Sequence, residues 1–317
     1  MRPQLQREEA WTRYWASGAE HSCAGSFALQ GDGDTARLWA DVFGNAPASA
    51  RILDVGSGNG GLLQVALSQQ QPGWQLLGVD LAGHQPGWLE ERKDAGRVSF
   101  LSGIRMEAMP IEDGWADLLV SQFGVEYGKR GAVQAECLRV LAPRGRFALV
   151  MHHRESVISA VARDELRAHE CLLGEDGLLA AAAALLPHLA DARAGRQPGP
   201  EGDQARLAFN EAVRSASGLA QALSAPDLLW DVLDRLPEML GTVSEATLAS
   251  LQMQLAGYTE ELATASLRSA EQLECALSEM EMEQFAQPFV DAGCTISIAP
   301  LHEGDRLIAW QLRGQRA

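Results

Sequence analysis

The 317-residue sequence is 46% hydrophobic and 21% charged, a composition that supports one large globular domain or two modest ones. It has no run of roughly 18 to 20 apolar residues, and Met1–Ala10 lacks a signal-peptide centre, so a cytoplasmic protein with no membrane partner is expected. Its formal charge of −16 is uneven: residues 1–154 hold 15 Lys and Arg against 17 Asp and Glu, whereas 155–282 hold 8 against 21. Phosphate backbones demand basic surfaces, so nucleic acid is a disfavoured partner. Five scattered cysteines, Cys23, Cys137, Cys171, Cys275 and Cys294, form neither a disulfide framework nor a zinc motif, and no metal is expected.

In chain order, Trp11, Tyr14 and Trp15 fall on one face of an N-terminal helix, which is followed by His21–Phe27. Short β-rich runs then alternate with helical or loop segments. Strands are predicted at 51–55, 75–79, 97–101, 116–121 and 146–152, with helices at 61–71 and 132–141. That order makes a parallel sheet with crossover helices. After His153 the texture changes to about 130 residues rich in Ala, Leu, Glu and Gln, broken by a Pro- and Gly-rich stretch over 194–202. A short helix at 283–292 and two strands, 295–299 and 307–312, joined by a turn at 302–305, close the chain. The expected architecture is a doubly wound α/β sheet, mostly parallel with a closing antiparallel strand, formed by residues 1–154 and 282–317. An all-helical subdomain, 155–281, is inserted into it.

The most informative motif is Asp54-Val55-Gly56-Ser57-Gly58-Asn59-Gly60-Gly61, directly after a strand and before a helix. Glycines suit a tight turn that a ligand approaches closely. A dinucleotide would bring an anionic pyrophosphate to this loop, and the carboxylate of Asp54 works against that. A ligand with an ammonium and a sulfonium suits it better. The next strand ends in Gly78-Val79-Asp80, which places an acidic residue about 20 positions beyond the loop, where it can accept ribose hydroxyls.

Asp54-x-Gly56-x-Gly58-x-Gly60 is similar to motif I of the class I S-adenosylmethionine-dependent methyltransferases. The resemblance continues through Gly103–Pro110, Asp113–Val120 and Arg139–Arg146, although the acidic position common just after the glycine is here Ile104 or Arg105. It implies a Rossmann-like fold with S-adenosyl-L-methionine as cofactor and S-adenosyl-L-homocysteine as product. Asp54, Gly56, Ser57, Gly58, Gly60, Asp80, Leu81, Met106, Glu107 and Gln122 become the candidate cofactor residues.

Ligands of open α/β sheets sit beyond the carboxyl ends of the strands. Glu126 and Tyr127 follow the fourth strand, and His152 and His153 end the fifth, so these four are the candidate catalytic residues. Strand alternation sends one of the two histidines into the crevice. Trp11, Tyr14, Trp15 and His21 are candidates for a substrate lid within an N-terminal helical segment, 1–45; the alternative is a packing stripe. The insertion is expected to cap the acceptor. Leu248, Leu251, Leu255, Tyr258 and Leu262 in it form an a/d-like seam, read either as packing within the cap or as a homodimer seam. A small-molecule methyl acceptor is the expected partner. The alternatives are methylation of a protein or tRNA, a noncatalytic scaffold that keeps the fold, and an NAD-dependent oxidoreductase.

Overall fold

The computed structural model describes residues 3–19, 27–90 and 96–317. Two N-terminal helices, α1 (Pro3–Ala16) and α2 (Asp34–Gly44), precede β1 (Arg51–Val55), α3 (Gly61–Ser68), β2 (Gln75–Val79), the single turn α4 (Gly87–Glu90) and β3 (Val98–Leu101). Then come β4 (Ala116–Gln122), α5 (Ala132–Val140) and β5 (Leu141–His152). The strands lie in the order β3-β2-β1-β4-β5-β7-β6, with β6 (Thr295–Glu303) and β7 (Arg306–Gln315) supplied by the C-terminus. All pairs from β3 to β5 are parallel. β7 runs antiparallel to both neighbours, so the closing feature is one reversed strand and the edge strand β6 regains the common direction.

Strand alternation explains the layers. Ile52, Leu76, Leu118 and Val150 face a cluster built with Trp39 and Phe43 of α2 and Leu63 of α3. Leu53, Val79, Leu119 and Leu149 face the opposite cluster, which contains Val133 of α5 and Phe285 and Phe289 of α11 (Glu279–Asp291). Both faces of the central strands are therefore dry, as their continuous apolar runs require. α11 starts four residues before its predicted position because Ser278 and Glu281 form a reciprocal capping box. β5 starts before its predicted first residue: Leu141 already pairs with Ala116, despite the left-handed φ of 62° at Arg144.

The chain divides into two compact units, residues 1–159 with 271–317, and residues 160–270. The sequence placed these limits at 154 and 282. Flanking residues of the insertion belong with the sheet for identifiable reasons. Ile158 is buried in its core, Leu277 bridges to His153, and Glu271 bonds to two residues of α1.

The second unit comprises most of α6 (Val157–Leu173) and α10 (Leu248–Cys275), together with α7 (Leu178–Arg193), α8 (Pro200–Ala222) and α9 (Asp227–Gly241). The predicted seam residues Leu251, Leu255, Tyr258 and Leu262 are buried in its core with Leu172, Leu229 and Val232. The unit's own helices cover the seam, which removes it as a homodimer surface. The apolar residues of α7 (Leu178, Leu179, Leu186) are spent in the same core.

Candidate functional site

The site begins where β1 ends. Gly56, Gly58 and Gly60 all take left-handed φ values, 71°, 53° and 73°, which side chains disfavour. At Gly56 space is limiting as well: a Cβ would lie 2.7 Å from Cα of Gly124, in the loop after β4. A Cβ on Gly58 would lie 2.6 Å from the Trp15 ring. The loop is braced from below by Asp54, which is buried and accepts a 2.6 Å hydrogen bond from the Ser57 hydroxyl. Burial pushes the Asp54 carboxyl up to about 7, with the nearby charge of Asp80 adding to the rise and the Ser57 bond opposing it.

Asp80 stands at the carboxyl end of β2, where its Oδ2 accepts from the Gly58 amide at 2.7 Å and its Oδ1 from the Ala82 amide at 2.8 Å. Burial raises its pKa as well, against the pull of these backbone bonds. A carboxylate offers about four acceptor positions, so acceptor capacity remains after the loop is held. Asp80, Leu81 and Gly56 line a cleft of about 500 Å³, counting space open to solvent.

The rest of the cleft lining is largely apolar and includes Met106, Phe123, Gly124 and Tyr127. Phe123 holds a left-handed φ of 53°, a conformation that a bulky residue keeps only where its surroundings impose it. Here its ring stacks on His152, with centroids 4.2 Å apart. Behind that lining lies a buried polar group. His152 Nε2 is 3.2 Å from the Tyr127 hydroxyl, and the His152 amide donates to Glu126 Oε1 at 2.9 Å. Burial lowers the imidazole to about 3 and raises the Glu126 carboxyl to about 8, which favours the neutral form of both. Glu126 Oε2 and His152 Nδ1 have no hydrogen-bond partner among the described residues.

α1 forms the roof. Trp11 and Trp15, stacked with centroids 6.1 Å apart, and Arg7 line the cleft. Tyr14 packs edge-on against both tryptophans at their rims. Asn59 fastens the end of the helix by donating to the carbonyls of Trp15 and Ala19 at 2.9 and 2.8 Å. At its start, Arg7 donates to the Tyr127 carbonyl at 2.7 Å, and Glu271 accepts from the Trp11 indole at 2.8 Å.

Residues 53–149 match a family model described as a methyltransferase domain. With motif I on this strand order, that decides the assignment. Residues 53–149 carry a methyltransferase domain. Among solved structures, it is similar to an S-adenosylmethionine-dependent methyltransferase from Aquifex aeolicus at 12% identity, covering 89% of each chain with a TM-score of 0.43. It is also similar to the Burkholderia thailandensis 1,6-didemethyltoxoflavin-N1-methyltransferase at 19% identity, over 47% of this chain and 63% of that one, with a TM-score of 0.38. A Mesorhizobium loti methyltransferase aligns at 21% identity over 38% and 55% of the two chains, TM-score 0.31. The chain spans about three fifths of the length of several such proteins, 57% and 60% in two of them. No curated protein matches it in sequence.

The methyltransferase domain fits S-adenosylmethionine at the positions described. Gly56 presents bare backbone to the cleft, and Asp80 brings acceptor capacity to it. Of the expected cofactor residues, Gly56, Asp80, Leu81 and Met106 line the cleft, while Ser57, Gly58 and Gly60 shape the loop. Three lie elsewhere. Asp54 is beneath the loop, Gln122 accepts the Trp39 indole on the sheet's core side, and Glu107 accepts the Lys129 amide at 3.0 Å.

Of the histidine pair, His152 does not line the cleft but lies buried behind Phe123 and Tyr127, which do. His153 instead stacks on Trp310, with centroids 4.4 Å apart, and takes the Glu155 amide on Nδ1. His21 lies outside the described residues. Arg7, Phe123 and Glu271 were not singled out from the sequence. A lone arginine on an amphipathic helix and a glutamate in a presumed insertion carry no local signal.

Proposed function

We propose that the protein transfers a methyl group from S-adenosylmethionine to a small-molecule acceptor. The observation that carries this reading is the cleft itself, which joins the glycine loop and the acidic end of β2 with the rings of Phe123 and Tyr127 and with a helix bearing two tryptophans. Such a space suits a flat or compact acceptor. The chain's charge of −16 argues against a nucleic-acid substrate.

When bound, the cofactor supplies a methyl carbon already activated by a sulfonium. The protein's contribution is then chiefly positioning, since an in-line displacement depends on alignment of the reacting atoms. Gly56, Gly58 and Asp80 hold the cofactor end, and the rings of Phe123 and Trp11 confine the acceptor. The Tyr127 hydroxyl stands 3.2 Å from His152 Nε2, and Tyr127 lines the cleft, where it is assigned to meet an acceptor N–H or O–H. In this scheme Tyr127 touches substrate, whereas His152 and Glu126 position it. A strong base is not required of a group held neutral by burial. Residues 160–270 enter the chain soon after β5, and acceptor selection is assigned to them.

Transfer of labelled methyl into cell extract, followed by separation by molecular size, tests the proposal. Label in the small-molecule fraction, with purified protein that binds S-adenosylhomocysteine, is the expected result. Label confined to protein or RNA would overturn the acceptor class.

A further inference from the structure

We infer that Arg7 is the receptor for the carboxylate of the cofactor's amino-acid end, held ready for it by Glu271 and the Tyr127 carbonyl. The inference rests on the S-adenosylmethionine reading of the cleft and adds a residue outside the glycine loop and the acidic end of β2. S-adenosylmethionine ends in an α-amino acid, so its site needs a partner for a carboxylate as well as for an ammonium. Asp54 and Asp80 are acidic and cannot serve. Arg7 is the only basic side chain among the described residues lining the cleft.

The guanidinium is also oriented in advance. Nε is 2.7 Å from Glu271 Oε1, Nη2 donates to the Tyr127 carbonyl at 2.7 Å, and the group stands 5.9 Å from the centroid of the Tyr127 ring. Glu271 is fixed in turn by the Trp11 indole on its other oxygen. Of the five N–H groups of an arginine, one on Nη2 is used in a hydrogen bond here, while Nε meets Glu271 as an ion pair. Both hydrogens of Nη1 and the second of Nη2 remain, the end-on edge that takes a carboxylate through two parallel bonds. A side chain fixed at two points loses little further freedom when it binds, which is what pre-organisation requires. The same chemistry would recognise a carboxylate on the acceptor, so the test must separate the two sources.

The experiment is calorimetry with two ligands on the full chain: S-adenosylhomocysteine, and its decarboxylated analogue, which keeps the nucleoside, sulfur and amine. The parent should bind the first at least about tenfold more tightly than the second, the scale of a charge-assisted bidentate pair. Arg7→Gln should remove that preference by weakening S-adenosylhomocysteine alone. Arg7→Lys, which keeps the charge without the fork, should retain part of it and guards against a variant that fails to fold.

Equal weakening of both ligands in Arg7→Gln would show that Arg7 only places α1, and would overturn the inference. A preference unchanged in both variants would do the same, and would move Arg7 to the acceptor. A parent that binds neither ligand would break the cofactor reading itself. A parent that binds both equally would break only the assignment of Arg7.

Discussion

Replacing Asp80 by Asn separates its two duties. The carboxylate accepts the amides of Gly58 and Ala82 at 2.7 and 2.8 Å and lines the cleft. Asparagine has one acceptor oxygen, so it cannot hold both amides and also receive a ribose hydroxyl. At least one hydrogen bond from ribose to a charged acceptor is lost, worth about 1.5 to 3 kcal/mol, or about tenfold to a hundredfold in affinity. Burial already penalises the charged form of Asp80, so removing that charge offsets the loosened loop and the fold should survive.

Titration calorimetry with S-adenosylhomocysteine reads the affinity, and thermal unfolding of the unliganded protein reads the fold. An Asp80→Asn protein with near-parental Tm and affinity at least tenfold weaker is expected. The raised pKa adds a second sign. Because the acceptor must be ionised, the parent's affinity should fall on acidification from a higher pH than an ordinary carboxylate near 3.8 would give, and the variant should lack this dependence. Parental affinity in a folded variant would refute the ribose assignment.

Glu126→Gln keeps an acceptor for the His152 amide but removes a carboxyl raised from 4.5 to about 8. The unfolded chain loses that proton first, so the stability it contributes is full below about pH 4.5 and is lost as pH rises to about 8. The variant's Tm should therefore gain on the parent's between pH 5 and 8.5, and parallel curves would sink the idea. Gly58→Ala forces a Cβ to within 2.6 Å of the Trp15 ring at a φ of 53°, so α1 should be displaced and its amides exchange hydrogen faster, at a backbone cost of about 1 to 2 kcal/mol. Unaltered exchange over residues 3–16 would show that Trp15 yields without moving the helix. Replacing residues 160–270 by a short linker should leave S-adenosylhomocysteine affinity within about tenfold, roughly 1.4 kcal/mol, because every cleft residue named lies in the first unit. Methyl transfer to the native acceptor at the parental rate would then exclude the insertion from acceptor selection.

Local chemistry alone determined much of this protein. The β1 and β2 limits, the glycine loop and the acidic end of β2 were legible because each follows from a short-range rule: alternation along a strand, left-handed φ at glycine, and a fixed spacing from loop to acid. The choice between the two histidines was also half-legible, since alternation required that they face apart without saying where each would lie. Packing set both places: His152 is buried against Phe123, behind the cleft lining, and Trp310 on the reversed strand β7 captured His153. Only the tertiary structure assigned Asp54, Gln122 and Glu107 to partners within the chain, because a carboxylate or amide can satisfy the loop, an indole or a turn as readily as a ligand. Arg7 and Glu271 are 264 positions apart, and their pairing depends on α1 meeting the far end of α10. No periodicity or spacing encodes a contact of that range, because it is set by how whole elements pack.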